Sequence, residues 1–234
     1  MSATDPDADA TETTGTDTGV DRDLVSPSQR FDARVQRRSG AVLRKRLISQ
    51  ELESLASALR TFAEDGSIEE AAACVVKARR RFILGTGKSF AFARLLASDL
   101  GASLSQVVQI DGTLTPAIDI LTEVRDTDVL VVFSFRRYRR ETADIGRAFV
   151  RAGGSLVLIT DSPDGPLADV AEVTVVVPTQ SASYADSPTA VASATHLLAA
   201  LTTASAKGAR RRLQERDRVA SELGLYTDPD QESR

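Results

Sequence analysis

A chain of 234 residues, 42% hydrophobic and 26% charged, is long enough to bury the core of one domain of ordinary size. Its single cysteine, Cys74, excludes an internal disulfide, and with one histidine in the chain a zinc site of His and Cys ligands lacks its donors. The formal net charge of −4 is unevenly spread, because residues 1–29 hold seven acids and one base; the body is near neutral, and the total implies no strongly basic face.

Residues 1–28 are rich in Thr, Asp, Ala and Gly. After Met1 their only large apolar side chains are Val20, Leu24 and Val25. Such a segment cannot offset the entropy of ordering itself, and it reads as a disordered acidic tail. It lacks the basic start and apolar middle of a secretion signal. No apolar run is long enough to span a membrane, so a cytoplasmic protein with no membrane partner is expected. Residues 29–66 read as a basic linker helix. Over Ala41 to Phe62 the side chains Ile48, Leu52, Leu55, Leu59 and Phe62 repeat at the spacing of a coiled-coil seam or a tightly packed helix pair. Its start carries Arg34, Arg37, Arg38, Arg44, Lys45 and Arg46. A nucleic-acid or partner contact is one reading of these charges, and a solvated helical face is the simpler one.

Ser67 with Glu70 three positions later predicts a capping box opening a helix to about Lys77. The apolar run Phe82 to Leu84 then stops at Gly85-Thr86-Gly87-Lys88-Ser89, and a helical pattern follows at once through Phe90, Phe92, Leu95, Leu96 and Leu100. That is strand, tight turn, helix, the place where open parallel sheets bind ligands. Backbone N–H groups of the turn and the helix N-terminus suit an anion such as phosphate. The alternative is that the glycines only let the chain turn sharply. A Walker loop needs a glycine where Phe82 stands, and a dinucleotide fingerprint needs one where Phe90 stands, so neither applies.

Further on, a strand is predicted at Gln106 to Ile110 and a helix opened by Thr115-Pro116. Apolar runs at Val129 to Phe133, Leu156 to Ile159 and Val173 to Val177 suit central strands covered on both faces. Helices are expected from about Glu141 to Ala152, Pro188 to Ala206 and Ala209 to Leu223. The alternation predicts an α/β, doubly wound parallel sheet of about five strands over residues 67–225. The third strand ends at Ser134 and runs into Phe135-Arg136-Arg137-Tyr138-Arg139-Arg140. Arginines at a strand's carboxyl end are well placed for phosphate oxygens. A solvated basic turn or a subunit contact would look the same, and nucleic acid is a weaker third reading.

From about Glu69 to Ala206 the chain resembles the SIS (sugar isomerase) domain, in particular the effector domain of RpiR/MurR-type transcriptional regulators. The matching pieces are the GTGKS turn, the strand Asp128 to Ser134, the stretch from Gly153 to Asp161, and Ser162 to Ala171 before the last strand. The resemblance implies a flavodoxin-like five-stranded sheet and a small phosphorylated sugar as ligand. It also implies a homodimer or homotetramer with sites near subunit interfaces. Ser89 fits the serine of the family's first turn. The family commonly carries Ser-x-Ser-Gly-x-Thr after the third strand. Here Ser134 matches the first serine, but Arg136, Arg137 and Arg139 stand at the second serine, the glycine and the threonine. Either the ligand is smaller or more anionic than a hexose phosphate, or the site is closed by its own side chains. The helix-turn-helix that precedes this domain in RpiR-type regulators has no match in residues 29–66. Direct DNA binding is not expected without a partner that carries such a domain.

An isomerase of this family needs a base. His196 lies in the long helix among Ala194, Leu197, Leu198 and Ala199, where a packed or interface histidine is the simpler reading. Glu123 sits at the wrong edge of the third strand, and Glu141 suits a helix start. Before the long helix the chain reads Tyr184-Ala185-Asp186-Ser187-Pro188-Thr189; Asp186 is a weak base candidate, and Ser187 and Thr189 are ligand hydroxyls or helix caps. Three readings follow: a non-catalytic phosphosugar sensor of the RpiR type, an aldose–ketose phosphate isomerase using His196 or Asp186, and a scaffold that has lost its ligand. Nothing in the sequence calls for a cofactor or a metal.

Overall fold

A computed structural model describes residues 26–36 and 39–226. The acidic tail expected over 1–28 falls almost wholly outside them, as do Arg37 and Arg38. Strands β1 (Arg80–Gly85), β2 (Val107–Ile110), β3 (Asp128–Ser134), β4 (Ser155–Thr160) and β5 (Val173–Val176) form one parallel sheet. Its order is β2-β1-β3-β4-β5, the flavodoxin-like order, with the topological switch point between β1 and β3. Gly85 lies opposite Phe133, and Ser134 opposite Thr160, so these carboxyl ends finish in register.

The apolar runs are continuous because both faces are covered. Ile83, Val131, Phe133, Val157, Ile159 and Val175 pack toward helices α3 (Ser67–Lys77), α4 (Ser89–Ser103) and α7 (Thr189–Ser205). The alternate residues Phe82, Leu84, Leu130, Val132, Leu156 and Leu158 pack toward α5 (Ala117–Leu121) and α6 (Arg140–Arg151). Each such side chain stabilises the fold by about 1.5–3 kcal/mol relative to exposure. Phe82 also meets Phe149 of α6 edge to face at 5.8 Å. Helix α8 (Ala209–Glu222) lies against α4. Among the described residues no helix is long and apolar enough to cross a membrane, and no group of His, Cys, Asp and Glu is placed to hold a metal ion.

The helix read over Ala41 to Phe62 forms, and a shorter one that the sequence reading did not separate precedes it. There are two helices, α1 (Pro27–Arg34) and α2 (Gly40–Asp65). Ser26 and Gln29 form a full capping box with Pro27 in the first turn, which starts α1. The box expected at Ser67 and Glu70 does not form. Gly66, in the left-handed region, ends α2 and begins α3 at once, so Ser67 is already helical and its N–H goes to Asp65. The α2 seam is split. Phe62 is buried with Ala58 against the α3 and α7 side of the core, whereas Ile48, Leu52 and Leu59 are exposed. The proline of the Thr115-Pro116 pair stands just before α5 as its N-cap rather than inside it.

Two arginines at the amino edge of β1 have separate tasks. Arg81 is buried and donates to the carbonyls of Val75 and Val76 at the end of α3 and to Ser105 before β2. A cation there satisfies the unpaired carbonyls of a helix C-terminus. Arg80 pairs with the buried Asp128, Nη2 to Oδ2 at 2.6 Å and Nε to Oδ1 at 3.1 Å. Burial alone pushes the Asp128 carboxyl up, but the Arg80 guanidinium and the Arg125 N–H outweigh it and hold it below the usual carboxylate range. A carboxylate depressed on folding contributes stability that is present above its unfolded value of 3.8 and is lost as pH falls through the lower folded value. Asp128→Asn is expected to cost about 3 kcal/mol at neutral pH and to flatten the acid-side loss of stability, read by denaturant titration between pH 3 and 7. Identical acid profiles of the two proteins would mean the pair contributes nothing.

Candidate functional site

The carboxyl ends of β1 and β3 open into a cavity of about 570 Å³. That is within the range of small-molecule sites, and it lies at the switch point where open parallel sheets bind ligands. Its floor is apolar: Phe133 at the end of β3, Phe92 of α4, Phe135 and Val191. Phe92 sits 6.2 Å from the Phe133 ring and 6.3 Å from that of Phe135. Its rim is basic, with Arg30, Lys88, Arg136, Arg137 and Arg139 against one carboxylate, Asp186.

The first turn splits its sequence-predicted residues between roles. Thr86, Lys88 and Ser89 line the cavity, while Gly85 and Gly87 face a second hollow beside Asp111 and Glu141. A side chain at Gly85 would lie 2.4 Å from the Ser89 carbonyl oxygen, so this glycine is what lets α4 start directly over the strand end. Gly87 has φ +60°, and the Arg139 guanidinium lies against it, 2.8 Å from where a Cβ would stand. The glycines therefore do carry the sharp-turn role that the sequence left open. Helix α4 has no side-chain cap, and among the described residues the N–H groups of Gly87, Lys88 and Ser89 make no backbone hydrogen bond, the arrangement that suits an anion at a helix N-terminus. Thr86 shares its hydroxyl with Thr142 of α6 at 2.8 Å, which ties the two turns together.

The arginine loop is held from below. Asp161 accepts from the Tyr138 hydroxyl at 2.8 Å and from the Arg136 N–H at 3.2 Å, with the Arg136 Nε 3.9 Å away. Burial, helped by Asp161, pushes the Tyr138 hydroxyl above its ordinary range, so it stays a donor at neutral pH. Arg136, Arg137 and Arg139 are exposed and line the cavity without filling it. Ser134 lines it too. Its hydroxyl is buried and has no hydrogen-bond partner among the described residues.

On the far side, Asp186 is engaged twice: its carboxylate pairs with Arg30 and its carbonyl accepts from Lys88 Nζ. Ser187 also lines the cavity; it is buried, donates to Glu51 of α2 at 2.6 Å and accepts from the Thr189 N–H. Thr189 opens α7 and does not line the cavity. Of the two readings of His196, packed or at an interface, the packed one does not hold within the single chain: His196 is exposed on α7, with Thr195 and Ala194 buried beside it, and it is not among the residues lining the cavity. Cys74 lies near the amino ends of the strands, where burial and Glu172 push its thiol up to about 11 and keep it protonated.

Sequence reading missed Pro27, Arg30, Thr179 and Tyr184, all cavity residues. The Ser26–Gln29 capping box and Pro27 were the local signals for the helix that brings Arg30, whose contact with Asp186 spans 156 residues. Gly85→Ala should destabilise the fold by about 1–3 kcal/mol through overpacking against α4, read as a lower urea midpoint. An unchanged midpoint would mean that α4 can shift freely over the strand end.

Among curated proteins none matches this sequence. Solved structures resemble it at low identity. The sugar isomerase domain of an RpiR transcription factor from Sphaerobacter thermophilus superposes with a TM-score of 0.69 at 24% identity, over 75% of this chain and 98% of that one. The NanR protein of Vibrio vulnificus, solved in complex with ManNAc-6P, gives 0.67 at 16% over 86% and 75%. A hypothetical protein of Methanococcus jannaschii, whose structure infers a 3-hexulose-6-phosphate isomerase, gives 0.54 at 17% over 70% and 92%. At such identities the likenesses establish the fold and no more. Residues 75–206, more than half of the chain, match the SIS domain family, to which this protein belongs.

Proposed function

We propose that this protein is a phosphosugar-binding SIS protein acting as a non-catalytic sensor of the RpiR regulator type. The observation that carries the reading is the charge pattern of the cavity: five cations and an uncapped helix N-terminus face one carboxylate, and that carboxylate is already paired with Arg30. An anion is favoured there, and among the described residues that line the cavity the one carboxylate is already engaged. A phosphate group, with nearly two negative charges at neutral pH, matches the Lys88, Ser89 and Arg139 side of the rim. The aromatic floor suits the carbon face of a sugar. The ManNAc-6P bound by the Vibrio vulnificus protein supports the same ligand class.

The isomerase reading draws on the likeness to the Methanococcus jannaschii protein. Within the single chain His196 does not line the cavity, and Asp186, the base candidate that does, is paired with Arg30. Proton NMR of the protein mixed with aldose and ketose phosphates separates the readings. Broadened sugar signals without new product peaks are expected, and new isomer peaks would make it an enzyme. Silence across the panel would favour a scaffold that has lost its ligand. In titration calorimetry Lys88→Ala and Arg139→Ala should each weaken a bound sugar phosphate about 10-fold or more, and added salt should weaken it further. Undiminished binding by both variants would place the phosphate elsewhere.

A homo-oligomer is supported by the exposed apolar face of α2, with Ile48, Leu52 and Leu59 uncovered in the single chain. Leu52→Asp is expected to shift sedimentation to a smaller species, and wild-type protein that sediments as a monomer would remove this part of the reading.

A further inference from the structure

Helix α1 lies outside the matched SIS segment, yet it forms part of the cavity wall through Pro27 and Arg30. Arg34 donates to the carbonyls of Ser181 and Ser183 at 2.8 and 3.0 Å, Phe31 meets Tyr184 edge to face at 6.5 Å, and Arg30 pairs with Asp186. A helix of eight residues is not stable alone in water, so its place depends on these contacts.

Arg30 and Arg34 are both buried, but they are differently engaged. Arg34 reaches away from the cavity into backbone carbonyls of the 181–183 loop. Arg30 lines the cavity; its Nη1 holds Asp186, while its Nε–H is buried with no acceptor among the described residues. The Ser134 hydroxyl, at the β3 end of the same cavity, is buried and unpartnered as well. Polar groups left without partners in a buried site are costly, and a ligand that satisfies them regains that cost. A guanidinium with a free N–H asks for an acceptor, which a phosphate or sugar oxygen supplies.

We propose that Arg30 is a ligand-binding residue of this site, so that occupancy of the cavity and docking of α1 are one coupled equilibrium. The proposal rests on the phosphosugar reading above and adds that the bound state is registered at the N-terminal end of the chain. By linkage, whatever factor the docked helix adds to ligand affinity, the ligand adds to the docking of the helix. Loss of one hydrogen bond from a charged group corresponds to about 10- to 100-fold in affinity.

The test uses the full chain and four probes: N-acetylmannosamine 6-phosphate, fructose 6-phosphate, arabinose 5-phosphate and inorganic phosphate. Calorimetry on wild type, Arg30→Ala, Arg30→Lys and Arg34→Ala is paired with hydrogen exchange of the amides in residues 27–36. A probe that binds wild type should slow exchange across α1. Arg30→Ala should bind that probe about 10- to 100-fold more weakly and lose the protection, with Arg30→Lys between them. Arg34→Ala loosens the helix without removing a cavity group, so it should lose less affinity than Arg30→Ala; equal losses would reduce Arg30 to a structural strut and overturn the proposal. Wild-type affinity in a folded Arg30→Ala, or α1 exchange indifferent to a bound sugar phosphate, would overturn it while leaving the phosphosugar reading intact. Binding of none of the four probes by wild type would overturn both.

Discussion

A parallel sheet buried on both faces leaves its chemistry only the strand ends. In this chain the constraint is strict: Leu130 to Phe133 and Leu156 to Ile159 are all buried, alternate residues going to opposite helical layers. Polar groups in the sheet are accordingly pushed to its margins. At the amino edge Asp128 is neutralised by Arg80, and Arg81 is spent on helix and loop carbonyls. At the carboxyl edge Ser134 keeps an unpartnered hydroxyl beside a cavity. The two edges thus differ in kind, one satisfied from within the chain and the other left to be satisfied from outside.

The close seat of α4 over β1 connects that sheet to the site. Because Gly85 has no side chain, the helix begins directly above the strand end, and its unpaired N–H groups stand over the switch point. Arg139 can lie on the turn because Gly87 has none either. The exchange of small hydroxyl donors for arginines after β3 therefore does not close the cavity. The cations spread around its rim, anchored by Asp161 through Tyr138 and the Arg136 N–H. The alternative of a site sealed by its own side chains conflicts with the volume that remains. A rim this basic favours an anionic ligand, and the pairing of Asp186 with Arg30 weakens the case for catalysis by that carboxylate.

The N-terminal helices change the way the domain is understood. Arg30, Arg34 and Glu51 all reach the segment between β5 and α7, which forms the far wall of the cavity. The segment before the SIS match is thus bound to the wall of the site rather than leading passively into it. Its remaining apolar surface on α2, at Ile48, Leu52 and Leu59, faces outward in the single chain.

Local chemistry made much of this legible. Strand–turn–helix at Phe82 to Leu100, the doubly apolar runs and the arginines after Ser134 depend on near neighbours, so the sequence by itself determined the five-stranded doubly wound sheet and pointed to the ends of β1 and β3. The errors were also local in origin. Ser67 with Glu70 satisfied a capping pattern, but the left-handed turn at Gly66 had already begun the helix. Alanines and leucines around His196 left packing and an interface both open, and within the single chain helical rotation turns the position outward, against the packed reading. Only the tertiary structure decided that Arg30 meets Asp186 and that Glu51 meets Ser187, across 156 and 136 residues of chain. No periodicity encodes such contacts; they exist because α1 and α2 dock on the segment between β5 and α7.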